Sequence, residues 1–357
     1  MTEIETPDVV VAGLGPAGSC AAAAAAAAGA SVVALERRRE AGTPVQCAEF
    51  VPALLGNDVA CVSAVTQQPI ARMLTYIEGP APDETQHFPG RMIDRAAFDR
   101  LLASDAARAG ARCRYETPIR RIDADGTIHT SDRRRLRPRI LIGADGPHSR
   151  VGAAIGAINR EIVATRQITV PLMRAHDATD IFLHADYRGG YAWLFPKGAV
   201  ANLGLGMAPS ARAQLKPLLA ALHRELASSG RVGPQCLGLT GGAIPVGGRL
   251  RAIGALGSTH VLLAGDAAGL TNPVTGAGIS AAVQSGTLAG RAAAARLAGD
   301  LDAIDDYEEE LGALFDASLA RALRRRRELL ARYAHRSRPH RAEMRAGWIA
   351  YPEYWAA

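Results

Sequence analysis

Four consecutive apolar residues, Val9-Val10-Val11-Ala12, run into the glycines of Gly13-Leu14-Gly15-Pro16-Ala17-Gly18 and give way to the alanine run 21–28. A short apolar run closed by glycines and followed by helix formers predicts a strand, a tight turn and a helix. A second apolar run, 31–35, closes on Glu36. Residues 37–52 lose periodicity and predict a loop, whereas 70–90 combine prolines with alternation that fits short strands. In 94–110 the apolar residues Phe98, Leu101, Leu102 and Ala106 share one face at helical spacing. Segments 112–122 and 127–130 fit a strand pair, and 140–146 fits a buried strand stopped by a turn. Between 164 and 206 the pattern becomes several strands with aromatic punctuation, among them 179–184 and 191–196. A helix is expected at 210–229 and a glycine-rich crossing at 241–248. The parallel-strand signal then returns at 261–266, ahead of a helix at 278–298. A charged helix at 308–338 precedes a tail with Trp348, Tyr351, Tyr354 and Trp355.

Parallel-strand signals near both ends imply a discontinuous nucleotide-binding unit of residues 1–69, 91–155 and 255–300. A β-rich substrate unit of 70–90 and 156–254 interrupts it, and 301–357 form a basic C-terminal helix and aromatic tail. The 357 residues, 48% of them hydrophobic, suffice for such cores. No apolar run reaches bilayer-spanning length and the first residues are acidic, so a cytoplasmic location is expected.

The five cysteines, Cys20, Cys47, Cys61, Cys113 and Cys236, lack CxxC spacing, which argues against a disulfide framework and a zinc site; no metal is expected. The net charge of +6 is arginine-dominated and densest at Arg324-Arg325-Arg326-Arg327. That run fits a solvated helix face, or a surface for an acidic protein partner or an anionic membrane. Nucleic acid is excluded as a partner, because no aromatic-basic platform accompanies the charge.

The GxGxxG of Gly13, Gly15 and Gly18 assigns each glycine a task. The first permits the turn, the second lets a pyrophosphate approach the backbone, and the third lets helix and strand pack closely. Free N–H groups at the helix start then face the phosphates. Glu36, about 20 residues on, can accept from ribose hydroxyls, with Arg37 beside it.

Two further turns make a family resemblance specific. Gly143-Ala144-Asp145-Gly146 and Ala264-Gly265-Asp266 resemble the DG and GD motifs of FAD enzymes with the p-hydroxybenzoate-hydroxylase fold. The resemblance implies an α/β fold: a Rossmann-like FAD-binding domain of the GR2 type, an inserted β-rich substrate domain and C-terminal helices. It assigns FAD contacts to Asp145, Gly146 and Asp266, to Arg95 in its helix, and to Pro273, Gly276, Gly278 and Ile279 where a helix start would meet the flavin pyrimidine edge. Within that fold the chain resembles the geranylgeranyl-reductase-like branch. Residues 44–49, including Cys47, resemble its segment beside the isoalloxazine, Tyr191-Ala192-Trp193-Leu194-Phe195-Pro196 its YxWxFP signature, and 273–279 its PxTGxGI turn. Three departures stand out: Arg188 where the signature usually begins with proline, Gly152 where the DG motif often ends in arginine, and a short C-terminal part.

The departures favour a flavin monooxygenase that hydroxylates a bulky aromatic substrate, a small molecule or an aromatic side chain of a peptide or protein, over the alternative of prenyl double-bond reduction. A non-catalytic flavin-binding assembly protein is the third class. Cys47, Tyr191 and Trp193 are the catalytic candidates, with core packing an equal reading for the aromatics of 191–195. No second GxGxxG is present, so NAD(P)H would bind transiently or a separate reductase would supply electrons. The arginine run and aromatic tail are expected to engage a large or acidic partner.

Overall fold

The computed structural model describes residues 4–55, 59–334 and 338–356. The apolar runs read as parallel strands assemble side by side into a six-stranded sheet. Its order is Ile253–Leu256, Thr259–Leu263, Ile140–Gly143, Val9–Ala12, Val32–Leu35 and Arg112–Arg114. All neighbours are parallel except the first pair, which forms a hairpin. Val9–Ala12, Val32–Leu35 and Ile140–Gly143 are buried along their whole length, as strands covered on both faces must be.

The alanine run has a packing reason. Helix Pro16–Ala27 lies against helix Ile279–Leu297 so closely that a Cβ on Gly286 would come within 2.1 Å of the Ala17 carbonyl oxygen, and one on Gly290 within 2.4 Å of that of Ala21. Small side chains let the two backbones approach. Asp94 caps helix Arg95–Arg108 by accepting from the Ala97 amide at 2.9 Å, so the helix starts one residue after the expected boundary.

An eight-stranded sheet carries most of the aromatic strands. Its path runs through Gly238–Thr240, Ile162–Pro171, Val200–Met207, Ala192–Lys197, Ala178–Leu183, Arg72–Ile77 and Pro82–Thr85, with Ala243–Pro245 also on Ile162–Pro171. Parallel pairing of Arg72–Ile77 with Ala178–Leu183 joins the two separated β-rich segments. Leu215, Leu219, Leu222 and Leu226 form the apolar stripe of helix Leu215–Ser228, which covers one face. Among the described residues no helix is long and apolar enough to cross a membrane.

Several boundaries differ from the sequence pattern. Part of the expected loop 37–52 is strand Phe50–Pro52, paired with Gly90–Ile93. The expected strand 112–122 divides, Arg112–Arg114 joining the large parallel sheet and Ile119–Ile122 pairing with Ile128–Thr130. The glycine crossing contains strand Ala243–Pro245. The C-terminal helix begins before the expected residue 308 and spans Ala303–Ala334, residues 335–337 of the expected helix lying outside the described residues; the Tyr307 hydroxyl anchors it by donating to the Leu263 carbonyl at 2.7 Å.

The tail then folds back through helices Arg341–Ala346 and Pro352–Trp355. Met344, Trp348 and Tyr351 are buried in one cluster with Met73, Ile77, Ile181 and Phe195, and Tyr354 is also buried. Of the tail aromatics expected as a docking surface, only Trp355 is exposed. The arginine run is likewise divided. Arg324 is exposed, Arg325 binds the tail carbonyls of Tyr354 and Glu353, Arg326 is buried, and Arg327 pairs with Glu161 at 3.1 Å.

Candidate functional site

The three glycines of the first turn occupy different surroundings. A Cβ on Gly13, whose φ is +95°, would lie 2.5 Å from the Ala144 carbonyl oxygen, and one on Gly18 would lie 1.9 Å from that of Gly13. Around Gly15 the same construction meets nothing within 4 Å. The outer glycines therefore serve strand and helix packing, and the middle one leaves an open cradle. Helix Pro16–Ala27 starts there with no side-chain cap and no acid in its first turn, so its orphan N–H groups face that space. This is the form a diphosphate needs. Glu36 is buried at the end of its strand and accepts from the amides of Leu14 and Arg38, both at 2.9 Å, leaving each oxygen a further lone pair for a ribose hydroxyl. Arg37 is exposed at its side.

The two acidic turns behave differently from one another. Asp145 is taken up locally, accepting from the Ser149 hydroxyl at 2.5 Å and the Arg150 amide at 2.6 Å, where helix Arg150–Ala154 begins. Gly146, at φ +85°, has open space around its Cβ position. Asp266 accepts from the Thr271 hydroxyl at 2.7 Å. Burial holds its carboxyl above the ordinary carboxylate range, against the hydrogen bond from Thr271 and the charge of Arg95. Asn159 ties the two turns together by donating to the carbonyls of Pro147 and Asp266 at 3.1 and 2.8 Å.

Asn272 shapes the segment before the second uncapped helix, its side-chain oxygen accepting from the amides of Val274 and Thr275. Gly276 turns at φ +70°, Gly278 is the cap residue, and Ile279 begins the helix with no acid in its first turn. The N-terminal partial charge thus stays available for an anion.

Residues 44–49 cross between the units and are held almost entirely by the eight-stranded sheet. Gln167 donates to the Cys47 carbonyl at 3.0 Å, Thr240 to that of Val45 at 2.5 Å, and Asn202 to that of Ala48 at 3.2 Å. Glu49, buried and at φ +70°, receives Lys197 on both oxygens at 2.8 Å, Asn202 at 2.9 Å and the Arg95 amide at 3.0 Å. The Arg95 side chain pairs with Asp99 at 2.7 Å and also meets Cys47. Sequence reasoning singled out Cys47 and Arg95 but not Glu49, Gln167, Lys197 and Asn202. Only Glu49, two residues past Cys47, carried a local signal.

The three aromatics of the 191–195 strand divide. Trp193 lies over Gly204, donates to Gln167 at 3.0 Å and is buried in the core with Phe195. Tyr191 donates to the Thr275 carbonyl at 2.5 Å and lines a cavity beside the 272–278 turn. Leu183, Val274, Leu329, Met344 and Trp348 supply its apolar wall, so the long helix and the tail close it. Among the described residues no cluster of His, Cys, Asp or Glu could hold a metal ion.

Residues 8–142 match the family described as FAD dependent oxidoreductase. A digeranylgeranylglycerophospholipid reductase of Methanocella arvoryzae is 33% identical over 87% of this chain and 84% of its own. Digeranylgeranylglycerophospholipid reductase 2 of Methanopyrus kandleri is 35% identical over 87% and 85%. The crystal structure of a geranylgeranyl bacteriochlorophyll reductase-like protein from Thermoplasma acidophilum superposes with a TM-score of 0.81 at 26% identity, covering 99% of this chain and 98% of the other. These likenesses overturn the expectation of an aromatic-hydroxylating monooxygenase, since relatives matched over most of their length are named as reductases. The C-terminal part that had weighed against a reductase folds back, and its Met344 and Trp348 line the cavity.

Proposed function

This chain belongs to the digeranylgeranylglycerophospholipid reductase family of FAD-dependent oxidoreductases, and on that premise we propose that it saturates carbon–carbon double bonds of prenyl chains carried on a glycerophospholipid. The similarity to named reductases over more than four fifths of their length carries the reading.

The residues fit the cofactor. The open backbone at Gly15 and the uncapped helix behind it would hold the FAD diphosphate, and Glu36 the ribose. When bound, reduced FAD supplies a hydride, and a proton completes each addition to a double bond. The second uncapped helix start, at Ile279, would favour negative charge on the pyrimidine edge. Arg95 brings a cation to the same crevice beside Cys47. Tyr191 fixes the 272–278 turn against the aromatic strand, and the apolar cavity next to it suits an isoprenoid chain. Electrons arrive from NAD(P)H bound transiently or from a separate reductase, and the chain works in the cytoplasm.

The test is anaerobic. The FAD-loaded chain is reduced chemically and mixed with a digeranylgeranyl glycerophospholipid. Flavin reoxidation with a mass gain of two hydrogens per double bond is expected. Flavin that stays reduced beside unaltered lipid would overturn the proposal.

A further inference from the structure

Four buried side-chain polar atoms have no hydrogen-bond partner among the described residues: the hydroxyls of Thr75 and Thr179, Nε of Arg326 and Nε1 of Trp348. The last two are pure donors, and both side chains line the cavity between the long helix, the tail and the 272–278 turn. Arg326 is 8% exposed and Trp348 3%. Arg326 gives one nitrogen to the carbonyls of Gly189 at 2.7 Å and Pro273 at 3.4 Å and makes no ion pair among the described residues. Its neighbours differ, because Arg325 pairs with Glu328 and Arg327 with Glu161.

Leaving a guanidinium buried without a counterion is costly, and an orphan donor adds to the cost. Burial lowers the Arg326 pKa to about 10, which still leaves the side chain charged at neutral pH. An anion arriving from solvent would satisfy charge and donors together. The same cavity is lined by Leu183, Val274, Leu329 and Met344, which offer apolar surface to a chain, and by His184, Tyr187 and Tyr333.

We propose that this cavity is a subsite for a phosphate oxyanion carried on an apolar chain, with Arg326 and Trp348 as its donors. The proposal deepens the reductase reading and rests on it for the nature of the chain. Because Arg326 also holds the Pro273 carbonyl, the oxyanion would sit against the turn that leads into helix Ile279–Leu297. Anchoring the polar end there sets which part of the chain reaches the flavin crevice.

Calorimetric titration of the FAD-loaded full chain provides the test, with geranylgeranyl phosphate, geranylgeraniol and inorganic phosphate as probes. The wild type is expected to bind the prenyl phosphate roughly tenfold or more tightly than the alcohol. Arg326→Gln should abolish that difference, Trp348→Phe should reduce it, and Arg326→Lys should keep most of it. FAD content and melting temperature verify folding, and Trp348→Phe and Arg326→Lys decide the matter if Arg326→Gln does not fold. Equal binding of phosphate and alcohol by the wild type, or an undiminished preference in both Arg326→Gln and Trp348→Phe, would overturn the subsite. Inorganic phosphate binding as tightly as the prenyl phosphate would overturn its lipid character. Binding is read separately from turnover. A chain that binds through Arg326 yet leaves double bonds intact fails the reductase reading alone, and one that reduces lipid with an unchanged KM in Arg326→Gln fails the subsite alone.

Discussion

At the scale of single residues, the first glycine turn shows three identical side chains doing separable work. Gly18→Ala places a methyl within 1.9 Å of the Gly13 carbonyl oxygen, so it should destabilise the fold by about 1–3 kcal/mol or more, measured by urea unfolding. Gly15→Val fills space that no protein atom occupies. That variant should fold with near wild-type stability and purify colourless, and a yellow Gly15→Val protein would misplace the diphosphate. Asp266 yields a pH prediction. Its carboxyl is raised chiefly by burial, so in the FAD-free protein the stability it contributes is complete below the unfolded value of 3.8 and is lost as pH rises through the folded value. Asp266→Asn should therefore flatten the fall in melting temperature of the FAD-free chain as pH rises above about 4, while weakening FAD binding roughly tenfold. An identical pH slope in the two proteins would refute the assignment. The glycine turn itself was legible because it follows from backbone geometry within one strand, turn and helix. The local use of Asp145 by Ser149 and Arg150 was not, since a DG turn reads the same whether its acid faces a ligand or caps the next helix.

At the scale of elements, apolar periodicity located the central strands and helices, but residues 37–52 read as a featureless loop. The reason lies in where its order comes from. Cys47, Ala48 and Val45 are held through bonds from Gln167, Asn202 and Thr240, partners more than one hundred residues away in sequence. Local pattern has no access to such bonds. The Glu49–Lys197 pair is the strongest of these ties, with a carboxylate 6% exposed and an ammonium 22% exposed. Removing the cation alone strands a buried charge. Lys197→Met should cost about 3–5 kcal/mol in equilibrium unfolding, and adding Glu49→Gln should recover part of it. If the double variant were as unstable as the sum of the two singles, the pair would not be coupled as the geometry implies.

At the scale of the whole molecule, strands from both ends of the chain, within 9–143 and 253–263, meet in one sheet, and their apolar runs were legible in the sequence. The path of the last twenty residues was not. Tail aromatics suit an exposed docking face as well as a buried seam, and only the surface they meet decides between them. Here that surface is the eight-stranded sheet, and Asp83 at its edge gathers three groups of the tail. Asp83 accepts from Arg341, Arg345 and the Tyr351 hydroxyl at 3.0, 3.0 and 2.9 Å, bridging more than 250 positions of sequence. Each contact is partly exposed and individually weak, so their joint loss should cost about 1 kcal/mol, felt as local opening of the tail before any global unfolding. Asp83→Ala is therefore expected to retain its FAD and to melt within a few degrees of the wild type. Limited proteolysis should nevertheless cleave its last twenty residues faster, and the cavity walled by Met344 and Trp348 should hold a prenyl phosphate more loosely. A tail as resistant to protease as that of the wild type, with unchanged affinity, would show that the buried aromatics alone close the cavity and that Asp83 only decorates its rim.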